Sequence, residues 1–308
     1  DGSTRYSMWD RAQLGNNDGK LVDGETVCGL THCIYGLSRD QGVVRIGANN
    51  HKALIQWTRT EAGKWTENRT GVTAVAYYGA IGAYDANPLT GRGGFYVLDD
   101  KNQSVYVAER EDGTWEAKVL QENQKPNTRG SFTFTPRGEP VVAYQILQEP
   151  AVLAAGKVGA VKVGIAPSYD WYPLDVAADP TGKIHLGVAM HIGATVYYVS
   201  ADGGENWSGS HIFDSATYGD APAIRIAACP NGDMVAVVFC DFKNNALHLA
   251  TSKDGGQNWA VQDLPGGGAQ FPDVAFDKAG ALYVGYFQGG ENKLKLLVAN
   301  NPLKAGAP

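Results

Sequence analysis

Asp170 and Asp220 are the acidic residues whose setting most invites chemistry, because they occupy corresponding places in the loops Ser168-Tyr169-Asp170-Trp171 and Thr217-Tyr218-Gly219-Asp220. A pair of carboxylates facing one cleft is the usual apparatus of glycoside hydrolysis, one as acid and the other as base or nucleophile. The plain alternative is that each caps a strand or bonds a neighbouring turn. His191 and His51, in polar loops, or His32 could instead act as the base of a polysaccharide lyase with a tyrosine as acid, although a lone histidine more often satisfies a backbone group. Histidines from separate loops can also gather a metal, but no ligand spacing supports this and no cofactor is implied.

The neighbours of these groups fit a saccharide. Tyr169, Trp171, Tyr172, Tyr218 and Phe271 offer ring faces for sugar C–H groups, and Arg129, Asn50 and Asp241 offer partners for hydroxyls. The competing reading is packing: Tyr172-Pro173, Ala221-Pro222 and Phe271-Pro272 recur at equivalent places, so their aromatics can simply close a core.

Positioning such groups requires a scaffold, and the sequence shows one by repetition. The chain has 308 residues, 44% of them hydrophobic, with 39 glycines and 14 prolines, which is the punctuation of short strands and tight turns rather than long helices. Turn glycines at Gly42, Gly91, Gly138, Gly182, Gly232 and Gly280 recur at intervals of 44 to 50 residues. After each comes an apolar run, such as Ile184 to Met190 or Met234 to Phe239, that reads as a strand buried on both faces. An alternating strand follows, then a glycine-rich turn ending in Trp65, Trp115, Trp207 or Trp259. Four strands per unit at this period predict an all-β fold, a six-bladed β-propeller of four-stranded antiparallel blades. The whole chain, 1–308, is then one domain, with blades at about 25–70, 71–120, 121–166, 167–216, 217–263 and 264–300. Residues 1–14, which resemble the segment Asn258 to Leu264, are expected to supply the closing strand of the last blade.

Ser200-Ala201-Asp202-Gly203-Gly204-Glu205-Asn206-Trp207 and Ser252-Lys253-Asp254-Gly255-Gly256-Gln257-Asn258-Trp259 match the pattern S-x-D-x-G-x-x-W. Through them the chain resembles the sialidase-like β-propeller superfamily, whose Asp-box or BNR repeats carry this motif; Glu109 to Trp115 and Arg59 to Trp65 look like shortened copies. The resemblance implies that Asp202 and Asp254 bind local backbone N–H groups while the tryptophan packs between blades, so these aspartates are structural. Sialidases of the superfamily also use three arginines, a tyrosine paired with a glutamate, and an aspartate. Here only Arg45, Arg129 and Arg225 are plausible channel arginines, and no glutamate falls among the rim candidates, which disfavours ordinary sialidase activity.

In a propeller the first-to-second turns and the Asp-boxes share one face, and the ligand mouth belongs to the other. The blade connections, including Asp170 and Asp220, and the second-to-third loops, including Asn50, His51, Asp99, His191 and Asp241, are therefore the expected rim. Gln145 to Val158 in the third unit reads as an insertion over the mouth, a lid or a partner-binding surface, with a longer third strand as the plain alternative.

Composition narrows the partners. A net charge of −6 argues against nucleic acid, and no stretch approaches the ~20 apolar residues of a membrane span. Asp1-Gly2-Ser3-Thr4 lacks the features of a signal peptide, so the chain reads as a mature form of a secreted, periplasmic or cell-surface protein. Cys28, Cys33, Cys229 and Cys240 lack metal-knuckle spacing; a hairpin at Asn231-Gly232 would set Cys229 opposite Met234 rather than Cys240. The expectation is a carbohydrate-active propeller acting on an oligo- or polysaccharide as a hydrolase or lyase, the alternative being a non-catalytic glycan- or protein-binding propeller.

Overall fold

A computed structural model describes residues 4–9, 21–28, 33–40, 43–50, 53–59, 65–73, 82–124, 130–146, 149–154, 157–160, 173–189, 195–213, 223–232, 234–241, 244–264, 269–288 and 293–299. Every regular element among them is a strand, and no helix is long and apolar enough to cross a membrane.

The strands form successive antiparallel sheets. The N-terminal pair is β1 (Thr4–Trp9) with β2 (Leu21–Cys28). Next come β3 (Cys33–Asp40), β4 (Val43–Asn50), β5 (Ala53–Arg59) and β6 (Trp65–Thr73) in one four-stranded sheet, then β7 (Ala83–Ala86), β8 (Gly93–Leu98), β9 (Ser104–Glu109) and β10 (Trp115–Gln121) in another. The third holds β11 (Ser131–Phe134), β12 (Pro140–Ile146), β13 (Glu149–Ala154) and β14 (Lys157–Ala160). The fourth holds β15 (Leu174–Ala178), β16 (Ile184–Ala189), β17 (Thr195–Ser200) and β18 (Ser208–Phe213). Then β19 (Ile224–Ala228), β20 (Val235–Asp241), β21 (Ala246–Ser252) and β22 (Ala260–Leu264) form a fifth, and β23 (Ala269–Phe276), β24 (Leu282–Gln288) and β25 (Lys293–Ala299) a three-stranded last sheet.

Within each of these sheets the strands pair in chain order, so the first strand is left at one edge. The first strands of successive sheets lie beside one another, β3 by β7, β7 by β11, β11 by β15, β15 by β19 and β19 by β23. Burial follows this order. The second strands β8, β16 and β20 are buried at every position, whereas the fourth strands β10 and β22 are largely exposed. Valine, leucine, isoleucine and phenylalanine suit a strand covered on both faces. Each apolar cluster joins two neighbouring sheets: Val141 and Val152 meet Leu174, Leu186 and Val196, while Tyr197 and Ile212 meet Ile224, Val235 and Phe239. The core is thus a series of face-to-face seams.

Tight turns set the register. At the first-to-second turns the amides of Asn87, Thr135, Asp179, Cys229 and Asp277 bond the carbonyls of Arg92, Glu139, Lys183, Met234 and Ala281. Gly91, Gly138, Gly182 and Gly280 have φ of 69, 79, 89 and 80° in these turns, a conformation open to glycine. The Cys229–Met234 bond is the hairpin pairing expected from Asn231-Gly232, and Cys229 and Cys240 are both buried and outside any disulfide.

Two expectations change. The N-terminal strand pairs with β2, over Thr4↔Cys28 to Trp9↔Leu21, rather than with β25, and the first four-stranded sheet begins at Cys33. A hairpin between segments close in sequence closes a short loop, whereas pairing across the whole chain closes a long one. The Gln145 to Val158 segment is not a lid: it supplies the end of β12, all of β13 and the start of β14. Ala151, Val152, Leu153 and Ala154 are buried there, because β13 is the third strand of an ordinary sheet.

Candidate functional site

The first strands place a line of polar side chains along the edge that each sheet presents to its neighbour. Ser131, Asp175, Arg225 and Asp273 each stand four residues before their turn residues, Thr135, Asp179, Cys229 and Asp277. Strand alternation puts them on the face opposite the core positions Leu174, Val176, Ile224, Ile226 and Val274. An edge strand carries unpaired backbone groups. Here side chains of the preceding sheet satisfy some of them.

Three seams are closed this way. Asp85 on β7 accepts the Thr133 hydroxyl of β11 at 3.0 Å and its own neighbour's amide, Ala86 N–H, at 2.7 Å. Ser131 on β11 donates to the Asp175 carboxylate and accepts the Val176 amide at 3.3 Å. Asp175 on β15 accepts the Ile226 amide of β19 at 2.9 Å. Burial pushes the carboxyls of Asp85 and Asp175 above the usual range; hydrogen bonds oppose it at both, and the Arg225 charge opposes it further at Asp175.

At the next seam, between β19 and β23, Arg225 donates one N–H back to the Ile224 carbonyl at 2.9 Å. Asp273 accepts the Val274 amide at 3.0 Å. Among the described residues neither the rest of the guanidinium nor the second Asp273 oxygen has a partner. Asp273 is reached by solvent although protein surrounds it; this enclosure raises its carboxyl, and the Arg225 charge opposes the rise.

The described rim residues are turn formers. Asp99, between β8 and β9, accepts the amides of Lys101 at 3.0 Å and Gln103 at 2.8 Å. Asp241, at the end of β20 and 2% exposed, accepts Asn244 Nδ2 at 2.5 Å and faces His248 Nε2 at 3.3 Å. His248 Nδ1 meets Asp263 at 2.8 Å, so the ring is held between two carboxylates and stacked on Phe239. Asn50 ends β4 and Phe271 lies within β23. Asp170, Asp220, His191, His51, Arg129, Tyr169, Trp171, Tyr172 and Tyr218 lie outside the described residues.

On the opposite side, Asp202 and Asp254 are turn centres. Asp202 accepts the amides of Glu205 and Asn206 at 3.1 and 2.9 Å, and Asp254 accepts those of Gln257 and Asn258 at 3.0 and 2.9 Å. Ser200 and Ser252 donate to these carboxylates and accept the amides of Gly204 and Gly256. Trp207 and Trp259 donate to the Gly204 and Gly256 carbonyls, each at 3.1 Å, and pack against the clusters between neighbouring sheets. Most of the bonds to both aspartates come from within the turn, which assigns them to holding its shape. Among the described residues no group of His, Cys, Asp or Glu is placed to hold a metal ion.

Asp85, Asp175 and Asp273 are absent from the candidates read from sequence. The signal for the last two was present: each lies four residues before the residue that opens its first-to-second turn, in an otherwise apolar strand.

No family model matches the chain and no curated protein matches it. Solved structures define its class: the fold is a β-propeller. Aleuria aurantia lectin, described as a six-bladed β-propeller with a novel fucose recognition mode, is 12% identical with a TM-score of 0.58, over 88% of this chain and 94% of its own. AofleA from Arthrobotrys oligospora is 13% identical, with a TM-score of 0.53 over 80% of this chain and 77% of its own. The α-L-arabinofuranosidase arb93a from Fusarium graminearum is 14% identical, with a TM-score of 0.50 over 84% of this chain and 89% of its own.

Proposed function

We propose that the protein is a carbohydrate-binding propeller of six blades that holds an oligo- or polysaccharide at one mouth of its channel. The observation that carries this reading is the composition of one face. Tyr169, Trp171, Tyr172, Tyr218 and Phe271 alternate in sequence with Asp170, Asp220 and Pro-containing turns, and the repeat assigns Asn50, His51, Arg129 and His191 to the same rim. Rings take sugar C–H faces, and amides, carboxylates and imidazoles take hydroxyls. The loops differ from unit to unit while the turns of the other face repeat, as a single site built from unlike parts requires. The saccharide-binding proteins among its solved neighbours support the same class of ligand. The S-x-D-x-G-x-x-W turns align the chain with the sialidase-like superfamily, without the residue set of an ordinary sialidase. A secreted, periplasmic or cell-surface location is where such a ligand is met.

Glycoside hydrolysis is the second reading, favoured by the arabinofuranosidase neighbour and by the corresponding places of Asp170 and Asp220. A glycan-array screen run beside product analysis on neutral and acidic polysaccharides separates the two. Binding without turnover establishes the binding propeller. Saturated products lost in both Asp170→Asn and Asp220→Asn establish the hydrolase, and unsaturated products lost in His191→Ala establish a lyase. No binding and no turnover on any glycan would overturn the assignment.

A further inference from the structure

We infer that the polar edge of the seam between β19 and β23 is a saccharide subsite in the channel wall, in which Arg225 and Asp273 grip the hydroxyls of a neutral sugar and disfavour an acidic one. This rests on the carbohydrate-binding reading above. The seam differs from its neighbours in one respect. Between β7 and β11, β11 and β15, and β15 and β19, polar side chains of the first strands are used up by bonds across the seam. Between β19 and β23 they are not: Arg225 spends one N–H on Ile224 and Asp273 one oxygen on Val274, with no bond across the gap among the described residues.

The remaining groups are a planar fork of donors and a carboxylate acceptor on adjacent strands, at equivalent positions. A sugar hydroxyl both accepts and donates, so two neighbouring hydroxyls can satisfy the guanidinium and the carboxylate together. One step further along the same strand, Ala275 stands where β7 and β11 carry Asp85 and Thr133, and it is exposed; Ala177 and Ala227, at the matching positions of β15 and β19, pack against apolar clusters. Asp273 lies two residues beyond Phe271 on β23, past an irregularity in the pairing of this strand with β24.

Charge sets the selectivity. Asp175 and Asp273 flank Arg225, so the group as a whole carries more negative than positive charge when ionised. A carboxylate on the ligand would gain Arg225 and meet Asp273 beside it. A neutral sugar meets no such penalty.

The test uses the full chain on a glycan array carrying neutral termini (fucosyl, galactosyl, glucosyl, mannosyl, arabinosyl) and acidic ones (sialyl, uronosyl). The wild type is expected to bind neutral termini and to bind acidic ones at least about tenfold more weakly, the factor that corresponds to loss of roughly one charge-assisted bond. Asp273→Asn should lose about tenfold on neutral termini and narrow the discrimination against acidic ones; Arg225→Met should lose about tenfold or more. Ala275→Leu, which adds bulk at an exposed position without removing a polar group, should also weaken binding if the polar variants do not fold. Preference of the wild type for acidic termini would overturn the subsite. So would unchanged binding by all folded variants, and in that case the carbohydrate-binding reading stands with its site elsewhere. Absence of any glycan binding by the wild type overturns both.

Discussion

His185 Nδ1 lies 2.6 Å from the Tyr197 hydroxyl, and that hydroxyl donates to the Gly255 carbonyl of the neighbouring sheet's turn at 3.0 Å. On the other side of the ring, Nε2 faces the Asp179 carboxylate at 3.4 Å. The chain therefore links a first-to-second turn of one sheet to a glycine-rich turn of the next through three buried side chains. Burial alone would raise the Asp179 carboxyl. The facing His185 ring and the hydrogen bonds from Thr181 and the Lys183 amide outweigh it and hold the group well below the usual carboxylate range.

Tyr197→Phe is expected to cost about 1–3 kcal/mol, because it strips the Gly255 carbonyl and His185 Nδ1 of their partner inside a dry seam while leaving the ring in place against Trp259. Urea unfolding of the two proteins measures this. A difference within roughly 0.5 kcal/mol would mean that the chain does not hold the sheets together.

The same turn offers an internal comparison. Gly255 has φ of 69° and open space where a Cβ would stand, so Gly255→Ala should cost only the left-handed strain, about 1–2 kcal/mol. Gly256 has φ of 93°, and its Cβ would come within 2.0 Å of Tyr197 Cε1. Gly256→Ala must therefore displace Tyr197 as well, breaking the bonds to His185 and Gly255. Thermal unfolding should rank it far below Gly255→Ala; equal midpoints would show that Tyr197 moves aside freely.

Much of this architecture was legible because it depends on local chemistry. The S-x-D-x-G-x-x-W segments contain both halves of their hydrogen-bond set within eight residues, so sequence alone identifies Asp202 and Asp254 as turn centres. The Gly182 and Gly280 turns were visible for the same reason. What failed was non-local. Whether residues 1–14 pair with β25 or β2 depends on the competition between distant edges, which no local pattern records. The run Ala151 to Ala154 lacked the polar alternation of other third strands and so read as an insertion, although burial on both faces makes such a run an ordinary strand. The spacing of Asp273 from its turn is legible in the sequence, whereas its neighbourhood with Arg225 on another strand is not.

Acid should weaken the turns in a defined window. Asn206 holds the Asp202 carboxyl down to about 2 through its backbone amide and then its side chain, with Ser200 adding to this. Asn258 and Ser252 hold Asp254 down to about 2 in the same order. A carboxyl depressed in the folded state contributes stability above its unfolded value, near 3.9, and loses it as pH falls through about 2. The unfolding midpoint should drop between pH 4 and pH 2, and the drop should be shallower in an Asp202→Asn, Asp254→Asn double variant, whose amides do not titrate. Parallel curves for the two proteins would remove these aspartates from the acid response.

The first strands make the opposite demand of their carboxylates. Asp175 is raised by burial and kept usable by Arg225's charge, by the Ser131 hydroxyl and by the Ile226 amide. Ser131 is the pivot, since it donates to Asp175 and accepts from Val176. Ser131→Ala leaves the buried Val176 amide without an acceptor and the carboxylate with one donor fewer, a cost of about 1–3 kcal/mol. Ser131→Thr keeps both roles and should restore most of the loss, provided its added methyl is accommodated. Because Asp175 becomes harder to ionise without the hydroxyl, the alanine variant should also lose part of its deficit as pH is lowered: a carboxyl raised in the folded state relative to the unfolded one penalises folding above the unfolded value and is relieved below it. Denaturant unfolding of Ser131→Ala at pH 7 and at pH 4 reads both effects. A deficit that is the same at the two pH values would assign the loss to Val176 alone and release Asp175 from the seam.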